Sequence, residues 1–334
     1  MSSLKEIASG LGVSHALVSR VLNNKMGTTR VSDRVRKAIL LRAKELDYQP
    51  NPLALALKKG QKGVVGVFLH GLGVDGSELS IEFIRAAGRA LSEHRLNLWL
   101  QFFETEEEFS AVCNEKLLRK VDGLIVAGVM HESLASKIKD VEQKGLHVAS
   151  ACQGPLNNWD IVNFQVNLHS QCYLPAKHLI EKGCKRIAHF NAMPYRYAGY
   201  LKAHAEAALT VREELVVSLG ECFDVDSGRT GTKYLLDSGR DFDGLVAQSD
   251  AQAVGAMMAL SDAGVPMSKW PLITGVDNSP IGRLYGLLPI TSTTAEMSSC
   301  ARLTVDAIMK KMAGSPVFPQ LAEPTLVVRR SSER

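Results

Sequence analysis

Nothing in this 334-residue chain reads as a membrane span, because no apolar run approaches the ~20 residues such a helix needs. No secretory leader is expected either, since Lys5 and Glu6 interrupt any apolar stretch at the N-terminus. The six cysteines (113, 152, 172, 184, 222 and 300) are scattered, with no CxxC pair and no spacing of zinc ligands. A reducing cytosol is the simplest fit, so a cytoplasmic location is expected. Catalytic signatures are missing too. There is no GxSxG, HExxH or P-loop, and no two of the nine histidines stand at i, i+4. No catalytic residue, metal site or cofactor is expected.

What is present is a globular composition. Apolar residues make up 46% of the chain and charged residues 22%, and the length suits about two domains. The charge is unevenly placed. Residues 1–62 hold 12 Lys or Arg against 4 Asp or Glu, whereas the remainder holds 27 against 31. A basic head on a mildly acidic body points to an anionic partner for the head alone.

That head reads as three helices. Leu4, Ile7, Ala8 and Leu11 recur at one helical face, and Ser3 with Glu6 can form a capping box. Gly10 and Gly12 end this helix, and Ser14 can cap a second. The second would bury Leu17 or Val18, Val21 and Leu22, leaving His15, Ala16, Ser19, Arg20 and Asn23 outward. A third starts at Ser32 or Asp33, with Val35, Ala38, Ile39, Ala43 and Leu46 inward. This is the helix-turn-helix arrangement, whose second helix enters the major groove. Arg20 suits guanine, while Ser14, Ser19, Asn23 and Ser32 suit phosphates. Next comes "YQPNPLALALKKG", in which Pro50 and Pro52 stop the third helix. Its "LALALKK" is too short to hold a helix alone and would order only against a partner.

"LKEIASGLGVSHALVSRVLN", "RVSDRVRKAI" and "LDYQPNPLALAL" resemble the lactose repressor family of bacterial transcription regulators. The resemblance implies base reading by His15, Ala16 and Arg20, although Ala16 offers a base only a methyl contact. It also implies a hinge that turns helical on DNA and wedges Leu57 into the minor groove, with Asn51 and Ala54 beside it. Lys58 would then meet phosphate. "NKMGTTRVS" is longer than the family's shortest turn at that point. A palindromic double-stranded operator and a homodimer are implied, because one head reads half a palindrome. The final "LVVRRSSER" holds no leucine heptad, so a tetramerising tail is not expected.

In the body, apolar runs alternate with helical periods in two halves. The runs are 64–69, 96–103, 122–128 and 146–151, then 162–166, 186–190, 214–219, 243–248 and 271–276. Helices are expected near 79–94, 105–119, 132–144, 170–182, 197–209, 227–237 and 251–263. The fold class is therefore an all-α helix-turn-helix head with an α/β body of two doubly wound parallel-sheet lobes. "VDGLIVAG" and "FDGLVAQSD" mark equivalent strands in the two halves. The layout resembles the family's periplasmic-binding-protein-like body. The expected domains are 1–49, a hinge at 50–61 and an effector-binding and dimerisation domain at 62–334. Lobe one would hold about 62–163 and 292–321, and lobe two 164–291 and 322–334. Crossings between them are expected near 161–165, 289–293 and 320–324.

A small-molecule effector would sit between the lobes, at the carboxyl ends of the strands. Carried over from the family, Arg196 with Gly199 in "PYRYAGYLKA" matches RxxGF, whose Arg bonds the effector. Asp277 in "ITGVDNS" matches an acid that bonds sugar hydroxyls, and Phe223 falls at a frequent aromatic wall. "AQSDAQAVG" resembles NDxxAxG with Ser249 for Asn; Asp250 is read either as a helix cap or as a ligand contact. "GLGVDG" (71–76) is a GxGxxG after a strand, but the expected helix at 79–94 starts too late for a dinucleotide site. It reads better as a cleft loop, with His70 and Ser77 nearby. Asn167, Leu168, Ala295 and Met297 depart from the family's polar or aromatic pocket positions. A carbohydrate or carbohydrate derivative is the expected effector, acting to release or to promote repression. A secreted solute-binding protein and a sugar- or nucleotide-dependent enzyme are the competing classes. The first would need a leader and no basic head; the second would need a catalytic group.

Overall fold

The structure is a computed structural model that describes residues 4–22, 31–48, 62–70, 73, 75–129, 132–153, 161–220 and 222–333. It divides into two compact units, Met1–Lys62 and Gly63–Arg334.

The smaller unit has α1 (Leu4–Leu11), α2 (His15–Leu22) and α3 (Asp33–Glu45). Ile7, Ala8, Val18, Val21, Ile39 and Ala43 form its buried centre, with Leu17, Leu22, Val35 and Leu46 packed around them. Gly12 turns the chain with φ +63°, and Val13 N–H donates back to the Ala8 carbonyl at 3.1 Å. Ser14 Oγ then accepts from Leu17 N–H at 3.2 Å, and Ser32 Oγ from Val35 N–H at 3.4 Å. Both serines cap helix starts that the sequence marks.

In the larger unit, β1 (Val64–His70), β2 (Asn97–Phe102), β3 (Gly123–Val129) and β4 (His147–Gln153) form a parallel sheet in the order β2-β1-β3-β4. Side chains alternate across it. Val65, Val67 and Leu69 join the core beneath α4 (Leu79–Glu93) and α11 (Met297–Met312). Phe68, Leu124 and Val126 face α5 (Glu106–Val112) and α6 (Glu132–Gln143) on the other side. The helix expected at 105–119 stops at Val112. There Asn114 accepts from Lys116 N–H at 2.9 Å and donates to the Ala111 carbonyl, an alternative to continuing the helix.

A second sheet holds β6 (Ile187–Asn191), β7 (Val216–Ser218), β8 (Gly244–Val246), β9 (Leu272–Asp277), β10 (Thr291–Thr294) and β12 (Leu326–Val327). Its order is β12-β10-β9-β8-β6-β7, parallel except for β12. The helices on it are α7 (Leu168–Glu181), α8 (Pro194–Glu206), α9 (Val225–Asp237) and α10 (Asp250–Asp262). The twin motifs occupy β3 and β8, which lie between matching neighbours in the two sheets.

The run at 162–166 does not start the second sheet. Its described strand, β5 (Phe164–Val166), pairs with β11 (Gln320–Ala322) as a separate ribbon between the lobes. Because β10 hydrogen-bonds β9, residues 291–294 belong to lobe two. The second crossing therefore falls between Thr294 and Met297, later than 289–293, and Glu296 takes a left-handed conformation there.

Candidate functional site

On the small unit, Ser14, His15, Ala16, Arg20 and Ser32 are exposed and Ser19 is half-buried. His15, Ala16, Ser19 and Arg20 share the outer face of α2, because its inner face is taken by Val18 and Val21. Asn23 and the hinge positions Asn51, Ala54, Leu57 and Lys58 lie outside the described residues, as does the capping residue Ser3.

On the large unit, Pro194 starts α8 three residues earlier than expected, since its fixed φ suits the first helical position. Arg196 thus sits in the first turn, beyond the carboxyl end of β6, and is only 3% exposed. Its Nε and Nη2 donate to Gln171 Oε1 at 3.2 and 2.9 Å, and Nη1 donates to the Gln248 carbonyl at 2.6 Å. Gln171, fully buried on α7, donates to the Thr294 carbonyl at the second crossing. Gln248 Oε1 accepts from Met193 N–H, and its Nε2 lies 3.0 Å from His189 Nε2. Burial pushes His189 down to about 3, so the ring is neutral. With Nδ1–H donated to the Val246 carbonyl, Nε2 is left to accept from Gln248. Gln171 and Gln248, neither of them a candidate from the sequence, therefore hold the arginine. Their signal would have been pairing across 25 and 52 residues, which one sequence does not display.

The Phe223 ring lies 5.8 Å from the Arg196 guanidinium carbon. Ser249 Oγ donates to the Phe223 carbonyl at 2.5 Å and accepts from Gln252 N–H at 3.0 Å. Ser249, not Asp250, is therefore the cap of α10. Asp250 is buried, and its Oδ2 accepts from Ser279 N–H at 2.7 Å and Ser279 Oγ–H at 2.9 Å. Burial first and Asp277 second push Asp250 up to about 7. Asp277, at the end of β9, is raised to about 6 by burial, with the Arg196 charge opposing and Glu82 adding to the rise. Asp277 and Asn278 have φ of 100° and 50°, consecutive left-handed conformations that non-glycine residues adopt at a cost. Asn278 N–H donates to Ser292 Oγ, which holds this turn on β10.

Lobe one closes on the same turn. Ile281 N–H donates to the Gly76 carbonyl at 3.3 Å. Ser77 is buried beside it, and a cavity of about 450 Å3 opens between α4 and residues 278–283. His70 stacks on Phe103 at 5.1 Å, with Nε2 3.3 Å from the Glu104 carbonyl. In "GLGVDG", residues 71, 72 and 74 lie outside the described set. The helix begins at Leu79, beyond Gly76, so no glycine of the motif opens it. Asn167 caps α7 and bonds Glu323, while Ala295 and Met297 are packed into the lobe-one core. Among the described residues, no cluster of three His, Cys, Asp or Glu could hold a metal, and no helix is long and apolar enough to cross a membrane.

Residues 3–51 match the family described as bacterial regulatory proteins, lacI family, and residues 176–332 match the periplasmic binding protein-like domain. The chain is 28% identical to the HTH-type transcriptional regulator RegA of Clostridium saccharobutylicum, over 99% of both chains. It belongs to the lacI family. A second relative, the ribose operon repressor of Halalkalibacterium halodurans, is 28% identical over all of this chain and 98% of its own. Two solved structures share the fold. The lac repressor dimer bound to operator and the anti-inducer ONPF is 21% identical, with a TM-score of 0.77 over 99% of each chain. The CelR–cellobiose complex is 22% identical, with a TM-score of 0.72 over 99% of this chain and 100% of that one. As a lacI-family member, the protein is a DNA-binding transcription regulator and not an enzyme.

Proposed function

We propose that this regulator is a homodimeric, cytoplasmic repressor whose affinity for a palindromic operator is set by a small molecule, a sugar or sugar derivative, held between the lobes. The observation that carries the reading is Arg196. It is a buried guanidinium at the carboxyl ends of the second sheet, fixed by Gln171 and Gln248 and flanked by Phe223 and Asp277. Such convergence of a few polar groups with an aromatic wall suits a small polar ligand. Gln171 also ties the arginine to the second crossing, so ligand contact at Arg196 bears on the segment joining the lobes.

The reading gives His15, Ala16 and Arg20 to base edges, and Ser14, Ser19, Asn23 and Ser32 to phosphates. Ser249 positions the Phe223 backbone, Asp250 braces the turn that carries Asp277, and His70 and Ser77 line the lobe-one side. Residues 1–49 are the head, 50–61 the hinge and 62–334 the body, with Asn51, Ala54, Leu57 and Lys58 meeting the minor groove and its phosphates. The family relatives named as repressors support this direction of control. The test is ligand titration by calorimetry on the parent and Arg196→Ala, using a ligand found by a thermal-shift screen of sugars, sugar phosphates and nucleobases. Loss of ligand affinity in the variant is expected; unchanged affinity overturns the pocket assignment.

A further inference from the structure

A proline interrupts the hydrogen-bond ladder of α7 next to the residue that holds Arg196. Pro175 stands inside the helix. In an uninterrupted helix residue 175 would donate to the Gln171 carbonyl, but proline has no N–H to give. Gln171 is fully buried, and an unpaired acceptor there is costly. The Thr293 hydroxyl on β10 takes the vacant place, donating to the Gln171 carbonyl at 3.0 Å. A second bond runs in the opposite sense, from Gln171 Nε2 to the Thr294 carbonyl at 3.2 Å. One residue of α7 thus holds two successive residues just before the second crossing. Its remaining polar atom, Oε1, accepts from Arg196 Nε and Nη2.

Beyond Thr294 the bonds continue into lobe one. Thr294 Oγ1 donates to Glu296 Oε1 at 2.8 Å, and Ser299 Oγ–H donates to Glu296 Oε2 at 2.7 Å. Ser299 lies in the first turn of α11, whose Met297, Cys300 and Ala301 are buried in the lobe-one core. Thr325 N–H donates to Thr294 Oγ1 at 2.9 Å, which brings the chain after β11 onto the same residue. On the other side, Gly199 lets α8 press on the α7 backbone at His169 and Tyr173, so the turns carrying Arg196 and Gln171 pack as one body. Arg196 is therefore joined to α11 by an unbroken series of hydrogen bonds. Such bonds are directional and end beyond about 3.5 Å, so the crossing cannot shift without moving or releasing Gln171.

We infer that Gln171 is the positioning residue that couples the Arg196 site to the second crossing, with Pro175 and Thr293 reserving its carbonyl for that task. This assignment deepens the effector reading and rests on it for what occupies Arg196. Coupling between two sites is reciprocal. What operator binding does to Arg196 through the crossing, an occupant of Arg196 does to operator affinity in return. Affinity and coupling are then separable: Arg196 sets the first, and the bonds from Gln171 to Thr293 and Thr294 set the second.

The experiment is hydrogen–deuterium exchange on the full chain, with and without a palindromic duplex obtained by binding-site selection on the parent. Two segments are read, 192–200 around Arg196 and 291–299 around the crossing. Thr293→Val removes the hydroxyl at nearly constant volume, and Thr293→Ser keeps it. Gln171→Glu keeps oxygens for Arg196 but has no N–H for the Thr294 carbonyl. Circular dichroism checks that each variant is folded. In the parent, the duplex is expected to change exchange in both segments by about fivefold or more, the lower end of usual coupling between sites. In Gln171→Glu the change at 291–299 should remain while that at 192–200 is lost. Thr293→Val should weaken the change at 192–200, and Thr293→Ser should restore it. A merely structural role would alter exchange equally with and without the duplex. A duplex-dependent change at 192–200 that survives in full in either Thr293→Val or Gln171→Glu overturns the inference, as does its absence in the parent. Unchanged ligand affinity in Arg196→Ala overturns the effector reading alone, because the exchange experiment contains no small molecule.

Discussion

Asp250 and Asp277 are two carboxyls that the fold holds in their protonated direction. Burial raises both, to about 7 and about 6, and each is within reach of another acid. A raised carboxyl pKa means that the native chain binds protons more tightly than the unfolded one. The stability linked to protonation is therefore complete below the ordinary range near 4, and is lost as pH rises through about 7. Asp250→Asn keeps an oxygen to accept from Ser279 and removes this titration. Melting curves from pH 5 to pH 8 should show the variant gaining on the parent as pH rises. A difference in Tm that stays constant across that range contradicts the account. Arg196 is the counterpart, a buried cation whose close partners are neutral oxygens of Gln171 and Gln248. Removing it leaves those oxygens without their donor, so ligand affinity should fall with little change in the DNA-reading unit.

Helix contacts decide how well these residues are placed. Gly199, one turn after Arg196 on α8, packs so closely on α7 that an added Cβ would meet the His169 carbonyl oxygen at 2.0 Å. Gly199→Ala should push α8 away from α7, the helix that carries Gln171. The expected cost is ~1–3 kcal/mol of stability, with weaker ligand binding, measured by denaturant unfolding and calorimetry. Unchanged values in both would mean that the contact yields freely. On the small unit, Arg20→Ala on α2 should cost ~1–3 kcal/mol per half-site and relax one base preference. A binding-site selection that returns an unchanged preference would remove Arg20 from the reading face.

Much of this was legible at the element level. The helical period of the head and the alternation of strands and helices could be read from local spacing, whereas Arg196 with Gly199 stood out only through the family motif they match. The second crossing could not, because "ITSTTAEM" has the same β-branched, strand-forming character whichever lobe it joins, and only pairing with β9 places it. Nor could Gln171 and Gln248, whose role depends on partners 25 and 52 residues away. Asp250 stood open between helix cap and ligand contact, and Ser249 was not a candidate cap; yet Ser249 has the extended backbone a cap needs, while Asp250 is already helical.

At the scale of the whole molecule, the chain divides its tasks by charge. The head carries an excess of eight positive charges and the remainder an excess of four negative ones, so attraction to DNA resides in the head. On the proposed reading, the body contributes the ligand site and control. The central claim is that occupancy beside Arg196 changes operator affinity. The most direct test is fluorescence anisotropy of a selected operator duplex, with and without the screened ligand, for the parent and Arg196→Ala. The parent should change its operator Kd by about tenfold, within the usual 5- to 150-fold range of coupling between sites. Arg196→Ala should bind the operator nearly as the ligand-free parent does and show no ligand-dependent change. An equal ligand-dependent change in Arg196→Ala, or none in the parent, would contradict the account.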